Sequence, residues 1–377
     1  MRKILVLSNS SGGLYSFRKE LIEELIKNGF QVNISTPRGT KVDQLEELGC
    51  IFIETPIDRR GMNPVSDLRL ILNYRHTIKK INPDIVLTYT IKPNIYGSIA
   101  CRWANIPYLN NITGLGSAFL KPSLLSSILI IMYRIAFKES RMVFFQNTNN
   151  LEFMQGKRAI SGPYKLIPGS GVNLERFKFT PYPDASDAIV FNFVGRVMKD
   201  KGIDEYLAVA REIKQKYPTT RFNIIGSVEP SQSHYEKILA EHEREGSITY
   251  LGYQEDIVPF LIGSHCIIHP SRGGEGMSNV LLETAATGRC LIASDIPGCR
   301  EIIDGGINGF TFQAGNAYDL IATVETFLSM PHEKKAEMGK RSREKVEREF
   351  DRQIVVDSYF EEIDKILRNY DLSISMN

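Results

Sequence analysis

Residues 189–202 read IVFNFVGRVMKDKG, and this stretch decides the fold. Its first six residues form an apolar, β-branched and aromatic run broken by one Asn, short enough for a buried strand. Gly195 ends the run. A basic segment carrying Arg196 and Lys201 then closes on Gly202, and helical periodicity continues to about Tyr217. A buried strand, a glycine turn and a helix are the unit from which parallel sheets are built.

The same alternation extends in both directions. Toward the C-terminus, strand-like runs at 222–225, 248–250, 266–269 and 291–294 are interleaved with helical patterns at 233–244 and 278–287. Toward the N-terminus, runs at 4–8, 31–35, 51–54, 85–89, 108–112 and 142–146 are separated by helical stretches. One of these, 17–27, carries Leu21, Ile22, Leu25 and Ile26 on one face and stops before Gly29. Residues 177–188, FKFTPYPDASDA, interrupt the pattern with two prolines and two aspartates and read as a linker. The expected class is therefore α/β: two doubly wound, Rossmann-like domains at 1–180 and 188–350, facing across a cleft. Ligands would bind beyond the carboxyl ends of the strands. A mostly polar helical tail follows 317 and is broken at Pro331. Its last part, 351–377, is expected to pack back on the N-terminal domain.

Composition narrows the class. The 377 residues are 42% hydrophobic and 24% charged, as in soluble enzymes. The five cysteines are odd in number, scattered and without a CxxC pair. They point to a reducing compartment and away from zinc or a disulfide framework. Cys299 reads as a small buried residue. The N-terminal apolar run is too short for a signal peptide, and no run of ~18 apolar residues crosses a bilayer. The formal charge is +2, yet residues 1–180 carry +11 and the remainder −9. The basic half is expected to face something anionic. No nucleic-acid partner is expected.

Three segments carry chemistry. Gly195-Arg196 and Lys201-Gly202 put two cations at a strand end beside a helix start, which suits a diphosphate and its growing charge on departure. A solvated loop is the plain alternative. Glu275-Gly276-Met277-Ser278-Asn279-Val280-Leu281-Leu282-Glu283 follows another strand. The spacing puts Glu275 before a helix and Glu283 about two turns inside it. Ser278 and Asn279 are helix-capping types whose region exposes backbone N–H groups to a phosphate. Glu283 can accept ribose hydroxyls and Glu275 sugar hydroxyls; a helix-start acid and a surface acid are the alternatives. Ser10-Ser11-Gly12-Gly13 lets a ligand approach the backbone, or is simply a tight turn. It is not GxGxxG, and the second run ends Ser35-Thr36-Pro37 without an acid, which disfavours a nicotinamide dinucleotide. None of the six histidines has metal-ligand spacing, His269 reads as a satisfied buried residue, and Asp-x-Asp is absent. No metal and no cofactor are expected, with a nucleotide-diphosphate sugar as co-substrate.

Gly195-Arg196 with Lys201-Gly202, then Glu275-x7-Glu283 within GMSNVLLE, resembles glycosyltransferase family 4, whose members are retaining enzymes of the GT-B fold. The segment from His269 to Phe310 is similar to enzymes that build capsule, exopolysaccharide or O-antigen units on a lipid carrier. SGGLYSFRKEL and ITGLGSAF resemble the subgroup containing the N-acetylgalactosaminyltransferase that extends lipid-linked bacillosamine. The resemblance implies Arg196 and Lys201 at the diphosphate, Glu283 at the ribose and Glu275 at the donor sugar. The backbone of Asn279 and Val280 would meet the phosphates, Gly13 would approach the donor phosphate, and Tyr253 would frame the base. Many members carry a histidine near the end of the fifth strand. Here Asn110-Asn111-Ile112-Thr113-Gly114 has none, and Thr113 is a poorer proton shuttle.

The expected reaction moves a hexosyl or N-acetylhexosaminyl group from a UDP-type donor to a polyprenyl-diphosphate-linked saccharide. Residues 124–137, LLSSILIIMYRIAF, flanked by Lys121, Lys138 and Arg141, read as an interfacial anchor on an anionic, cytoplasmic membrane surface, or as a buried helix. Lys92, in Ile91-Lys92-Pro93-Asn94, is a candidate contact for the acceptor diphosphate, with Thr113 near the acceptor. A nucleotide-sugar 2-epimerase and a silent sugar-nucleotide-binding subunit are the alternatives.

Overall fold

The computed structural model describes residues 1–375 except 59, 60, 62, 117, 118, 120–122, 186, 187 and 275, with the backbone alone for 369–375. The chain divides into two compact units. Unit 1 is Met1–Ser170 with Arg352–Asn377, and unit 2 is Gly171–Asp351.

Unit 1 holds a parallel sheet of β1 (Lys3–Leu7), β2 (Gln31–Thr36), β3 (Ile51–Glu54), β4 (Ile85–Tyr89), β5 (Tyr108–Ile112), β6 (Met142–Phe145) and β7 (Tyr164–Leu166), in the order β3-β2-β1-β4-β5-β6-β7. Its helices are α1 (Ser11–Lys27), α2 (Val42–Glu47), α3 (Pro64–Ile81), α4 (Ser98–Ala104), α5 (Leu124–Phe137) and α6 (Thr148–Gly156). Unit 2 holds β8 (Val190–Val194), β9 (Arg221–Ile225), β10 (Thr249–Gly252), β11 (Cys266–His269), β12 (Cys290–Ser294) and β13 (Gly309–Phe312), ordered β10-β9-β8-β11-β12-β13. Around them lie α7 (Ile203–Lys216), α8 (His234–Arg244), α9 (Val258–Ile262), α10 (Asn279–Ala286), α11 (Ala317–Ser329) and α12 (His332–Glu349). The final helix, α13 (Arg352–Ser375), belongs to unit 1.

Strands β4, β5 and β12 are buried at every position, and β1 and β8 at all but the first, because helices cover both faces; their sequences therefore read as runs rather than alternations. Two strands are not visible in the sequence pattern. β7 is three residues long and mostly exposed, and β13 starts on a glycine inside a loop-like stretch. Helix α1 starts at Ser11, earlier than periodicity suggests. Ser10 caps it by accepting the Gly13 amide at 3.1 Å, which draws Gly12 and Gly13 into its first turn.

The stretch 177–188 is not a solvated linker where it is described. Phe177 is buried, and the Tyr182 hydroxyl donates to the His265 carbonyl at 2.9 Å. The buried Arg289 donates to the Thr180 carbonyl at 2.9 Å and to its hydroxyl at 2.7 Å. Side-chain donors satisfy a backbone that its prolines keep out of regular structure, so the passage between units falls at Ser170–Gly171 instead. Helix α13 is held in unit 1 by Arg352 on Glu20 at 2.6 Å and by Tyr359, whose ring lies 4.4 Å from that of Phe144. Asn111 donates to the Tyr359 hydroxyl at 2.7 Å.

Helix α5 starts at a capping box in which Ser123 and Ser126 bond each other's amides. It buries Ser126, Tyr133, Ala136 and Phe137 and leaves Leu124, Ile128, Ile131 and Ile135 exposed, a stripe at helical spacing. Among the described residues, no helix is long and apolar enough to cross a membrane.

Candidate active site

In unit 2 the strand order turns at β8. β9 and β10 lie to one side, and β11, β12 and β13 to the other. The ends of β8 and β11 therefore flank a switch point, where doubly wound sheets open a crevice. Past β8 come Gly195 and Arg196, then a single 3-10 turn at Lys199–Lys201, then Gly202 with φ 75° opening α7. A Cβ on Gly202 would stand 1.9 Å from the Pro270 carbonyl oxygen, so a glycine is required for the loops after β8 and β11 to touch. The contact continues as the Arg272 amide donates to the Asp200 carbonyl at 2.9 Å. Arg272 Nη2 also reaches Glu205 Oε1, in the first turn of α7, at 2.5 Å.

Past β11, the Ser278 hydroxyl caps α10 by accepting the Leu281 amide at 3.5 Å and stands 3.2 Å from His269 Nε2. His269 is thus a hydrogen-bonded, buried residue. The cap lets α10 begin at Asn279, directing its early N–H groups and dipole at the switch point. Lys201, at the end of the 3-10 turn, and the start of α10 come from these two adjoining loops. Gly276 and Ser278 are buried, while Asn279, Val280, Lys201 and Glu283 are partly exposed. Because the helix starts after Ser278, Glu283 lies about one turn inside it rather than two. Asn279 Oδ1 is buried without a hydrogen bond. Glu275 lies outside the described residues.

Two other candidate residues stand at neighbouring strand ends. Arg196 is exposed, but its Nη1 contacts Glu229 Oε2 at 2.5 Å, so it is already engaged by a nearly buried carboxylate. Tyr253 is 71% exposed just past the edge strand β10, two strands from β8. The row of strand ends is nonetheless continuous. The Gly226 amide donates to the Gly252 carbonyl at 2.7 Å, and a Cβ on Gly226 would lie 1.9 Å from the Gly195 oxygen.

Glu229, Glu205 and Arg272 escape sequence reasoning. The one available signal is Glu205, a carboxylate among Ile203, Tyr206 and Leu207 on the buried side of α7. A buried acid needs a partner, but nothing in the sequence says which. Among the described residues, no group of three or more His, Cys, Asp or Glu is arranged to hold a metal ion.

In unit 1 the switch lies between β1 and β4. Gly13 is in the first turn of α1 after β1, Lys92 follows β4, and Thr113 follows β5, so all three stand at the carboxyl edge of adjacent strands. Thr90 has φ 74°, a strained setting for a β-branched residue, and leads into a π-helical turn at Pro93–Gly97. Lys92 Nζ lies 2.7 Å from Asp67 Oδ1, and Asp67 Oδ2 accepts from the Tyr96 hydroxyl at 2.7 Å. Burial and the neighbouring carboxylate push the Tyr96 phenol up, so it stays a donor.

Comparison with known proteins now has a site to refer to. Residues 176–345 match the family described as Glycosyl transferases group 1, and residues 3–147 match Glycosyl transferase 4-like. The chain is a glycosyltransferase, with a glycosyltransferase family match in each of its two units. This glycosyltransferase is 26% identical to the N,N'-diacetylbacillosaminyl-diphospho-undecaprenol alpha-1,3-N-acetylgalactosaminyltransferase of Campylobacter jejuni, over 97% of this chain and 100% of that one. It is 26% identical to the UDP-Gal:alpha-D-GlcNAc-diphosphoundecaprenol alpha-1,3-galactosyltransferase of Escherichia coli, over 86% of each chain. Among solved structures, Anabaena HepE in complex with UDP superposes with a TM-score of 0.80 at 17% identity, covering 97% of this chain and 100% of that one. Sucrose-phosphate synthase from Thermosynechococcus elongatus does so with 0.81 at 19%, covering 98% and 100%. These likenesses establish the fold of the glycosyltransferase as GT-B, with two Rossmann-like parallel-sheet domains.

Proposed function

We propose that this glycosyltransferase takes a UDP-hexose or UDP-N-acetylhexosamine at the β8/β11 switch point and transfers the sugar, with retention, to a saccharide carried on polyprenyl diphosphate. The carrying observation is that the loop bearing Lys201 touches, at Gly202 and Pro270, the loop that leads to the capped start of α10. An ammonium group and the N–H groups of a helix start suit a diphosphate. They act most strongly as charge builds on the departing group. Arg196 adds a second cation when it leaves or shares Glu229. Glu283 accepts the ribose hydroxyls, Tyr253 frames the base, and Glu275 holds hydroxyls of the donor sugar. Gly13 contributes its backbone to the donor phosphate. The acceptor oxygen forms the new bond to the anomeric carbon on the face the phosphate leaves. The bond from that carbon to the phosphate oxygen breaks, and the acceptor proton passes to the departing phosphate. No side-chain base is required, which accommodates Thr113 where relatives carry histidine.

The named substrates of the Campylobacter and Escherichia relatives support the choice of acceptor class. In unit 1 the exposed stripe of α5, with Lys138 and Arg141 beside it and Trp103 exposed on the neighbouring α4, suits docking on the anionic cytoplasmic face of a membrane. The test incubates the purified chain with UDP-sugars and a polyprenyl-diphosphate-linked N-acetylhexosamine. Transfer to the lipid-linked saccharide with the donor's anomeric configuration kept is expected. Epimerisation of the UDP-sugar without acceptor, or no consumption of any UDP-sugar, would overturn the reading.

A further inference from the structure

Unit 1 contains a cavity of about 650 Å³ beyond the ends of β2, β3 and β4, walled on one side by α3. That volume is in the usual range for a small-ligand site. Its polar lining includes Arg38, Asp58, Asp67, Arg69, Asn73 and Lys92. The cations differ in availability. Lys92 is neutralised by Asp67 at 2.7 Å and is only 12% exposed. Arg38 lies over the Phe52 ring at 5.0 Å and 3.9 Å from Glu54. Arg69 is exposed and, among the described residues, has no ion-pair partner.

The position of Arg69 on α3 makes it distinctive. Residues four apart on a helix share a face. Arg69 is four residues after Val65 and four before Asn73. Val65, Leu68 and Leu72 form an exposed apolar stripe, whereas Ser66, Asn73 and Leu70 line the cavity. Arg69 therefore stands on the border between an apolar surface and a saccharide-sized cavity with polar groups in its wall. Helices α3, α4 and α5 pack as one layer, so this stripe belongs to the layer that exposes Trp103 and the α5 isoleucines.

We propose that this cavity seats the acceptor saccharide, that the α3 stripe meets its lipid chain, and that Arg69, not Lys92, holds the diphosphate between them. The assignment rests on the lipid-diphosphate reading above. A lipid, a dianionic linker and a hydroxyl-rich head follow one another in the order that the stripe, the guanidinium and the cavity-lining carboxylate and amide do around the circumference of α3. Arg suits the linker because its fork binds phosphate oxygens bidentately. The ion pair with Lys92 fixes Asp67 in the cavity wall, where its carboxylate can accept from sugar hydroxyls and Asn73 can accept from and donate to them.

The test measures steady-state transfer by the full chain to two acceptors bearing the same saccharide, one on polyprenyl diphosphate in detergent and one a phenyl glycoside without phosphate. Arg69→Ala should raise KM for the diphosphate acceptor by roughly tenfold or more, with donor KM and phenyl-glycoside KM unchanged, and Arg69→Lys should recover part of the loss. Asn73→Trp, which fills the cavity, should raise KM for both acceptors. An unchanged diphosphate-acceptor KM in Arg69→Ala, or unchanged KM values in Asn73→Trp, would overturn the assignment while leaving the proposed reaction intact. A wild-type chain whose kcat/KM is equal for the two acceptors, or that uses neither, would overturn the lipid-diphosphate reading and this assignment with it.

Discussion

Arg272 Nη2 donates to Glu205 Oε1 at 2.5 Å, tying the loop after β11 to the first turn of α7. The side chains differ in exposure, 36% for Arg272 and 4% for Glu205. Removing the arginine strands a buried carboxylate, whereas replacing the acid leaves an arginine that water can reach. Arg272→Ala should therefore cost ~3 kcal/mol of stability and Glu205→Gln ~1 kcal/mol or less. Urea unfolding of both variants checks this. Equal losses would show that the pair does not act as a buried-acid clamp.

Lys201→Ala should lower turnover by ~100-fold or more while leaving the fold intact, because it removes a cation from the place where leaving-group charge grows. Initial rates at saturating donor, with circular dichroism as a fold control, decide it. A variant with wild-type turnover removes Lys201 from the diphosphate site.

The two acids of the Glu275-x7-Glu283 motif should separate kinetically. Glu283→Ala should raise the donor KM with a smaller change in kcat, since ribose contacts are made in ground and transition states alike. Glu275→Ala should lower kcat more than it raises KM. Finding these two patterns exchanged would reverse the roles.

Activity should persist in EDTA, because Lys201 and the start of α10 offer positive potential at the diphosphate. The measurement is transfer rate after chelation and after adding back Mg²⁺ or Mn²⁺. A loss on chelation that metal restores would mean that a divalent cation takes part.

Membrane docking should depend on the outward face of α5. The wild-type chain should co-sediment with anionic vesicles more than with neutral ones at low salt, and less as salt rises. Substituting Ile131→Asp and Ile135→Asp together should release it, since both side chains are exposed and their loss leaves no cavity. Equal recovery in the supernatant with neutral and anionic vesicles would exclude the docking mode.

Local pattern along the chain determined a good deal. Buried strands announce themselves as apolar runs, and the switch-point loops as glycines beside basic and capping residues, so β8, Lys201 and the cap at Ser278 are legible in order of sequence. The edge strands β7 and β13 are not, because β7 offers only three residues and β13 opens on a glycine in the turn-like stretch Gly305-Gly306-Ile307-Asn308-Gly309.

Tertiary structure alone decided who meets whom. Arg196 and Glu229 are 33 residues apart, Arg272 and Glu205 are 67 apart, and Lys92 finds Asp67 across 25. Asn111 meets Tyr359 across 248, which belongs to the attachment of α13 to unit 1. The sequence shows that a cation is present but not whether a carboxylate already neutralises it. That depends on which helix the sheet brings alongside, a consequence of packing rather than of local propensity. It is also why, among the described cations lining the cavity of unit 1, Lys92 is paired with Asp67 while Arg69 on the rim has no ion-pair partner.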